Sequence, residues 1–363
     1  MFCDGFLTKT CAFKVFFVLA HKKWGKNKKK MYICNEIKVN SANIHLGTYM
    51  SDVKRIMSVK NYVDLMGLEM HHPLIGVFDV QGLSNLISTK RFYGINVLML
   101  KKTSGAPFLY GDGFYQFQNG SIVAFSTGQL TGPPITYSKD FRPDAKVLVW
   151  HDEMFHGLSV GQMHCDYPFF TYCSNHSIDL NDEERLHVED NMCKIQGILQ
   201  NEGEKANPIK VNRILSQILE TCLLAFKRQY SCYKREPKGL LTTFEYHLNK
   251  FIREKQGHKV GIPEVKYFAE KCHFSSNYFG ELFHRLTGIR AKEYIQMRIV
   301  EAAKERLISS SLSTKQVAQS LGFSHPNHFA IYFKSYTGET PNDYRIRIFK
   351  KLQSARAECE QEE

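Results

Sequence analysis

The sequence has no apolar stretch long enough to cross a bilayer and no cysteine pattern typical of disulfide frameworks or metal sites. The apolar run Phe13–Ala20 is short, is broken by Lys14 and precedes basic residues, which is the wrong order for a secretory signal. The ten cysteines are scattered, without a C-x-x-C pair or a cysteine–histidine cluster. We therefore expect a cytoplasmic protein with no membrane segment, no disulfides and no resident metal.

Motifs of common nucleotide-dependent and hydrolytic enzymes are missing too: there is no phosphate loop, dinucleotide fingerprint or nucleophile elbow. The metal-ligand candidates that remain are His71, His72, His151, His156 and His164, with Asp152 and Glu153. They lack clustered spacing, and His151 and His156 would lie on opposite faces of a strand. We expect no cofactor and no enzymatic activity.

Charge is unevenly distributed along the chain. Residues 1–30 carry a net charge of +7, residues 31–239 are neutral, residues 240–351 carry +8 and residues 352–363 carry −3. A neutral body is thus followed by a basic C-terminal third and an acidic tail. We interpret residues 1–41 as a basic extension. Its residues 1–30 are either translated from a start upstream of a genuine start near Met31 or form a basic arm for a membrane surface or a nucleic acid.

Residues 42–178 contain short apolar runs separated by turn residues, a pattern that predicts an all-β barrel or sandwich. The predicted strands are Pro73–Val80, Tyr93–Leu100, Phe114–Phe117, Ile122–Phe125, Val147–Trp150 and Phe169–Tyr172. Six aromatic residues in this region have two interpretations, the core of the β domain or the mouth of a barrel that admits a small ligand. They are Tyr93, Phe108, Tyr110, Phe114, Tyr115 and Phe117.

Residues 179–239 change to helical periodicity. Asn181–Leu199 and Pro208–Tyr230 each place apolar residues on one face, and Lys234–Gly239 is a basic linker. We expect a helical connector. Its second helix either packs on the β domain or forms a dimer seam, and the sequence leaves both open.

The basic third contains an internal duplication. The segment from Phe274 through Thr287-Gly288 to Tyr294 recurs from Phe323 through Thr337-Gly338 to Tyr344, with one inserted residue near Pro326. Within each copy the apolar spacing predicts a helix, a tight turn and a second helix. The copies therefore predict two helix-turn-helix units.

Local signals set the ends of these predicted helices. In the first copy a helix follows Pro263 with Ile262 on its buried face, and Ser275 caps the next helix. In the second copy Ser313 and Gln316 form a capping box. The following helix is predicted to begin after Ser324 and to bury Tyr336 along with Phe329, Tyr332 and Phe333. The turns require a left-handed residue, which Gly322 supplies and His273 tolerates.

Residues Ala291–Ser309 between the copies predict one amphipathic helix. Its 19 residues would span about 28 Å at 1.5 Å per residue. That length is close to the roughly 34 Å between successive major-groove faces on one side of B-DNA. The helix would therefore hold two recognition helices in adjacent grooves.

The duplicated region resembles a known family. The block Val265–Phe283, with Thr287-Gly288, resembles the first half of AraC-type transcription regulators. The block from Val317 to Arg345, with Leu-Gly-Phe-Ser324 and Thr-Pro-Asn-Asp-Tyr-Arg345, resembles the second half, and the likeness covers Phe244–Arg347. Three segments of the β region, Pro73–Val77, Tyr110–Gly113 and Tyr167–Tyr172, are similar to the cupin-like sensor modules often fused upstream in this family.

The outward faces of the second helix in each unit give the candidate DNA-reading residues. These are Ser276, Asn277, Gly280, Glu281, His284 and Arg285 in the first unit, and His325, Asn327, His328, Ala330, Ile331 and Lys334 in the second. The resemblance implies base contacts at Asn277, Gly280 and Glu281. Four further cations add basic character around the units: Arg298, Lys304, Arg345 and Arg347. For each, an ordinary solvated helix face is the competing interpretation.

We expect a dimeric transcription regulator, an activator, that binds double-stranded promoter DNA and contacts RNA polymerase. A small-molecule effector in the β domain is an additional expectation. Two alternatives stay open: a metal-dependent cupin enzyme fused to a DNA-binding module, and a ligand-independent architectural DNA-binding protein. Metal analysis would detect the first, and equal affinity for all sequences would indicate the second.

Overall fold

The protein is described from a computed structural model that covers residues 53–81, 89–105, 107–111, 113–134, 144–162, 167–171, 177–230, 239–254, 261–309 and 311–362. The predicted basic extension 1–41, His164, Tyr172 and the linker residues 234–238 lie outside the described residues. Within the described part, no helix combines the length and apolar character needed to span a membrane.

The N-terminal half is β-rich, as expected. Its strands are β1 (Lys54–Ile56), β2 (Ile75–Gln81), β3 (Arg91–Tyr93), β4 (Asn96–Lys101), β5 (Phe108–Tyr110), β6 (Gly113–Tyr115), β7 (Ser121–Phe125), β8 (Leu130–Pro134), β9 (Asp144–Trp150) and β10 (Ile178–Asp179). Among the described residues they form two five-stranded sheets, ordered β1-β3-β8-β5-β6 and β10-β7-β4-β9-β2. The β1–β3 pair is parallel and the other pairs are antiparallel.

The second sheet is covered on both faces, which explains its nearly continuous apolar strands. In β9, Val147 and Val149 belong to one core cluster, whereas Leu148 and Trp150 belong to another. The second cluster also contains residues of the two connector helices, such as Met192 and Leu215. Alternate strand residues therefore pack against different layers.

The connector helices match the expectation closely. They are α2 (Asp182–Glu202) and α3 (Pro208–Gln229), joined by a 3-10 turn at Gly203–Lys205. Asn181 caps α2 in a capping box with Glu184, and Pro208 occupies the first turn of α3. The faces that contain Met192 and Leu215 pack on the sheet, so packing is one established role of this hairpin.

Three expectations for the β region are wrong in detail. A helix, α1 (Val59–Met66), interrupts the all-β pattern because Ser58 caps it by accepting a hydrogen bond from the Asn61 amide. The predicted strand Tyr93–Leu100 is two strands, one in each sheet. Gly94 separates them, where a Cβ would lie 3.0 Å from Met57 Cα.

The third correction concerns Phe169–Tyr172, which was predicted as a strand. Phe169 and Phe170 belong to a 3-10 helix, Pro168–Phe170, that begins at a proline and ends before Thr171. Both phenylalanines are buried, Phe170 against Trp150 and Phe169 against Phe226. Anchoring of these rings, rather than strand pairing, holds the segment.

Most of the predicted aromatic cluster of the β region packs into its core, whereas Phe114 is half-buried and outside the core clusters. Phe108 stacks on Tyr115 with ring centroids 5.4 Å apart, Tyr110 meets Tyr115 edge-on at 5.1 Å, and Tyr93 stacks on Phe125 at 5.5 Å. Tyr93, Tyr110 and Tyr115 are fully buried. The rings fill the space between the strands with one another.

The C-terminal part consists of helices joined by short turns in its described residues. Its helices are α4 (Leu240–Arg253), α5 (Val265–Lys271), α6 (Ser276–Thr287), α7 (Ala291–Ser309), α8 (Thr314–Ser320), α9 (Pro326–Thr337) and α10 (Pro341–Glu362). Helix α7 has the predicted bounds and buries the predicted stripe, including Tyr294, Ile299 and Leu307. Helix α10 continues through the acidic residues 352–362, where Leu352, Ala355 and Cys359 are buried.

Candidate DNA interface

The two copies of the repeat fold in the same way. Helices α5 and α8 each have seven residues, and α6 and α9 each have twelve. In the first turn the Phe274 amide donates to the Ala269 carbonyl at 2.8 Å, and in the second the Phe323 amide donates to the Ala318 carbonyl at 3.0 Å. Both alanines are completely buried, so a larger side chain would separate the helices. These are two helix-turn-helix units.

The left-handed turn residues are as predicted. His273 has φ 62° and is the non-glycine residue with positive φ among those described, while Gly322 has φ 97°. Gly322 is restricted further, because a Cβ there would lie 2.6 Å from the Ile262 backbone nitrogen. The second turn therefore excludes a side chain on steric grounds as well as conformational ones.

Two of the three N-cap residues predicted for the helix-turn-helix units cap their helices in the structure. Ser275 accepts from the Tyr278 amide, and Ser313 forms the predicted capping box with Gln316. Ser324 does not cap α9: the N-cap residue is His325, whose side chain makes no capping hydrogen bond. Pro326 at the first helical position lacks an N–H to cap, which accounts for the shift by one residue.

Ile262 and Tyr336 were predicted on buried faces and are exposed. Ile262 lies before α5, which begins only at Val265 after the N-cap Glu264. Tyr336 stacks on Tyr332 with ring centroids 5.0 Å apart, near the solvent-facing end of α9. Phe329 and Phe333 carry the buried stripe of α9.

The candidate reading residues of α6 lie on its outer side. Asn277, Glu281, His284 and Arg285 are exposed, whereas Ser276 and Gly280 are half-buried. A Cβ at Gly280 would meet nothing within 4 Å, so this position is open to an approaching surface. The helix ends at Gly288, whose amide donates to the His284 carbonyl in a left-handed cap.

Helix α9 presents the equivalent surface. His325, Asn327, His328, Ile331 and Lys334 are exposed, and Ala330 is half-buried. Ile331 is the most exposed large apolar side chain among the described residues, at 69%. It occupies the position of Glu281 in the other copy, 50 residues earlier. Contact of these side chains with bases stays a prediction.

Three exposed side chains near α6 were not among the predicted readers. Tyr278, 49% exposed, follows Asn277 on the first turn of α6 and packs on Phe274. Arg290 and Lys292 are exposed just beyond the end of the helix. Their charge was visible in the sequence, but their position beside the helix end depends on the left-handed cap at Gly288.

Each of the four cations expected around the units has a partner within the protein. Arg298 is buried, with its guanidinium 3.6 Å from Glu245 and bonded to Asn249 Oδ1 at 2.8 Å. Lys304 is paired with Glu301 at 2.8 Å. Arg345 donates to the carbonyls of Leu307 and Leu312, and Arg347 pairs with Glu339 at 2.7 Å. Sequence could not reveal these internal partners.

The histidines considered as metal ligands have separate structural roles. His72 Nδ1 accepts from the Leu74 amide, and His151 Nδ1 accepts from the Glu153 amide at the start of a 3-10 helix. His156 is buried against Tyr344. Within the described ranges, no group of three or more His, Cys, Asp or Glu side chains could hold a metal ion.

Comparison with known proteins identifies the repeat. A family model described as a helix-turn-helix domain matches residues 268–347. The transcriptional regulatory protein YesN of Bacillus subtilis is 35% identical over 92 residues, which is 24% of this chain and 25% of that protein. The Msm operon regulatory protein of Streptococcus mutans is 28% identical over 101 residues, 28% of this chain and 35% of that protein.

A solved structure is similar to about the same fraction of this chain. The C-terminal domain of the two-component response regulator yesN from Fusobacterium nucleatum is 27% identical, covers 28% of this chain and 96% of its own, and has a TM-score of 0.25. The chain spans only about a quarter to a third of the length of these two curated relatives. The duplicated geometry and the family match agree, and residues 268–347 are a helix-turn-helix domain.

Proposed function

We propose that this protein is a sequence-specific transcription regulator that reads double-stranded promoter DNA with α6 and α9. The observation that carries the proposal is the duplication. Two recognition helices of equal length, each with an exposed outer face, are joined by the 19-residue helix α7. A helix of that length spans about 28 Å, close to the separation of adjacent major grooves on one side of B-DNA.

In this proposal α6 and α9 make different kinds of contact with DNA. On α6, Asn277 bonds adenine and Glu281 accepts from a cytosine amino group, while Gly280 leaves room for close approach. On α9, Ala330 and Ile331 contact thymine methyl groups, and Lys334 contacts phosphate. Helix α6 therefore specifies the site, and α9 mainly positions the protein.

The wider proposal follows the expected division of the chain: a β sensor domain over 42–178, a helical connector over 179–239 and the DNA-binding domain over 240–351. The protein acts in the cytoplasm as a dimeric activator, paired through the connector, and contacts RNA polymerase once bound to DNA. The solvent-facing leucines of the connector hairpin, Leu186 and Leu224, support this seam, since both are about 60% exposed.

Small-molecule control is part of the proposal. The aromatic cluster of the β region is filled by its own rings, so an effector would bind elsewhere. A small cleft lies where the β region meets α4 and α7, and its lining includes Thr127 and Asp152 together with Asn249 and Glu301. Occupancy of this cleft would act on both regions at once.

Selection of DNA ligands from random duplexes by the full chain tests the proposal. We expect one enriched motif, with the selected duplex bound at least a thousandfold more tightly than a scrambled duplex of equal length at the same salt concentration. Equal affinity for both duplexes would overturn the proposal and indicate an architectural DNA-binding protein. Metal analysis of the same preparation distinguishes the enzyme alternative.

A further inference from the structure

Two tyrosines occupy the same position in the two copies of the repeat. Tyr294 and Tyr344 are 50 residues apart, and each is almost completely buried. Tyr294 meets Phe283 of α6 edge-on, with ring centroids 5.5 Å apart and planes at 74°. Tyr344 meets Phe333 of α9 in the same way, at 5.5 Å and 68°. Each tyrosine therefore packs directly on the buried side of one recognition helix.

Tyr294 also contacts the β region. Its ring meets Phe92 of β3 edge-on at 6.0 Å. Gly128, in the turn before β8, lies against the phenol, and a Cβ at that position would come within 3.0 Å of Tyr294 Cζ. The Tyr294 hydroxyl donates to Glu245 Oε1 at 3.3 Å, so the ring cannot swing away without breaking a buried hydrogen bond.

Tyr344 contacts the β region through its hydroxyl, which is hydrogen-bonded to Nδ1 of His156. Burial lowers the pKa of His156, which favours the neutral ring, and its Nδ1 shares a hydrogen bond with the phenol. Burial likewise raises the pKa of the Tyr344 phenol, which keeps its proton. An ion pair between Arg347 and Glu153, 3.6 Å apart, lies beside this contact.

Further contacts join the β region to the helix-turn-helix units. Arg55 of β1 donates to the Gly288 carbonyl at the end of α6, at 3.0 Å, and pairs with Glu293 at 3.3 Å. Gly157, next to His156, packs against Ile308 and Leu352. The β region thus touches each helix-turn-helix unit behind its recognition helix, on the side away from the exposed readers.

We propose that the β region holds both units through this pair of tyrosines and thereby fixes the orientation of α6 relative to α9. His156 and Gly128 are then positioning residues for DNA reading, although neither lies on a recognition helix. This inference rests on the proposed function and adds a route by which an event in the β region changes one half of the DNA site. A structural change at His156 would alter the position of α9, and a structural change at Gly128 would alter that of α6.

The test uses the full chain with two matched pairs of variants. His156→Ala removes the bond to Tyr344, and Ser159→Ala alters the same segment at a side chain bonded to Ser216 of α3 instead. Gly128→Ala displaces Tyr294, and Gly120→Ala introduces the same backbone strain, at φ 78° against 93°, with only the Arg185 side chain 3.6 Å away. Tyr344→Phe keeps the ring on Phe333 and removes only the hydroxyl.

Hydrogen exchange without DNA is the first readout. We expect faster exchange in α9 for His156→Ala and Tyr344→Phe, and in α6 for Gly128→Ala, each about tenfold relative to its control. Exchange in β2 and β9 stays unchanged, which excludes general unfolding of the β region. Equal exchange in variants and controls would overturn the inference, whatever the DNA results.

Binding to the selected duplex is the second readout. The half-site that α6 contacts is identified first, as the one at which Asn277→Ala changes the base preference. We expect His156→Ala to lose protection over the other half-site and Gly128→Ala over that of α6. Each would bind about tenfold more weakly, equivalent to about 1.4 kcal/mol. Uniform weakening of both half-sites by either variant would contradict the inference. Altered exchange in a chain that prefers no DNA sequence would instead overturn only the proposed function.

Discussion

The carboxylate of Glu245 lies 3.6 Å from the guanidinium of Arg298, and both side chains are about 95% buried or more. The pair joins α4 to α7 and is completed by Asn249 and by the hydroxyl of Tyr294. Removing one charge leaves the other buried without its nearest oppositely charged partner. The pair is therefore a sensitive point in the packing behind α6.

We predict that Glu245→Gln lowers the free energy of unfolding of the full chain by about 3–5 kcal/mol, the usual cost of an unpaired buried charge. Urea denaturation measures it. Asp64→Asn, which breaks the exposed pair between Lys60 and Asp64, serves as the control and should cost less than about 1 kcal/mol. A loss below 1 kcal/mol in Glu245→Gln would mean that the buried charge is compensated in another way.

Substitution of Asn277 tests the assignment of α6 as the specifying helix. Asn277→Ala should relax discrimination at one base pair of the selected duplex by about 1–3 kcal/mol, because a bidentate contact to adenine is lost. Affinities for the four duplexes that differ at that base pair measure the change. His187→Ala, on the connector helix α2, is a control that should leave all four affinities unaltered. If no base pair loses discrimination, Asn277 does not read DNA.

Lys334 and Arg285 are predicted to contact phosphate rather than bases. Lys334→Ala and Arg285→Ala should each weaken binding to all duplexes equally and reduce the slope of log affinity against log salt by about 0.9. Titrations at four salt concentrations give the slope. Lys60→Ala, an exposed cation on α1, should leave it unchanged. A base-specific loss in either variant would assign that side chain to direct readout instead.

The second turn is predicted to be intolerant of any side chain. Gly322→Ala should lower the free energy of unfolding by about 2–4 kcal/mol, since positive φ and steric overlap with the Gly261–Ile262 backbone both oppose a Cβ. Gly338→Ala is the matched control: its φ is 82°, but nothing lies within 4 Å of the added Cβ. It should cost about 1 kcal/mol. Equal losses in the two variants would show that only backbone conformation matters.

Acid should destabilise the protein through its buried histidines. Burial lowers the pKa of His72 from 6.5 to about 4, with a smaller contribution from Lys351. Between about pH 4 and pH 6.5, His72 is therefore protonated in the unfolded chain but neutral in the folded chain. Stability contributed by the neutral ring is present above pH 6.5 and is lost as pH falls towards 4.

The pH dependence of urea unfolding between pH 7 and 4 measures this effect. His72→Asn, whose amide oxygen can still accept from the Leu74 amide, should give a shallower loss of stability than the wild type. His71→Asn controls for the removal of a neighbouring imidazole. Parallel curves for His72→Asn and the wild type would contradict a role for His72.

Sequence reasoning succeeded where structure depends on local signals. The duplication, the left-handed turns at His273 and Gly322 and the bounds of α7 all follow from repeats, turn residues and periodicity, and the structure confirms them. It failed where a partner far along the chain decides. Arg298 is basic in the sequence but buried by Glu245, 53 residues away. The contacts of Tyr344 with His156 depend on packing between regions, for which no local pattern exists.

Hydroxyl-radical footprinting of the full chain on its selected duplex tests the central claim most directly. Two recognition helices held by α7 predict two protected segments on one face of the duplex, about 10 base pairs apart from centre to centre. A single protected segment, or continuous protection that does not depend on the sequence of the duplex, would contradict the account.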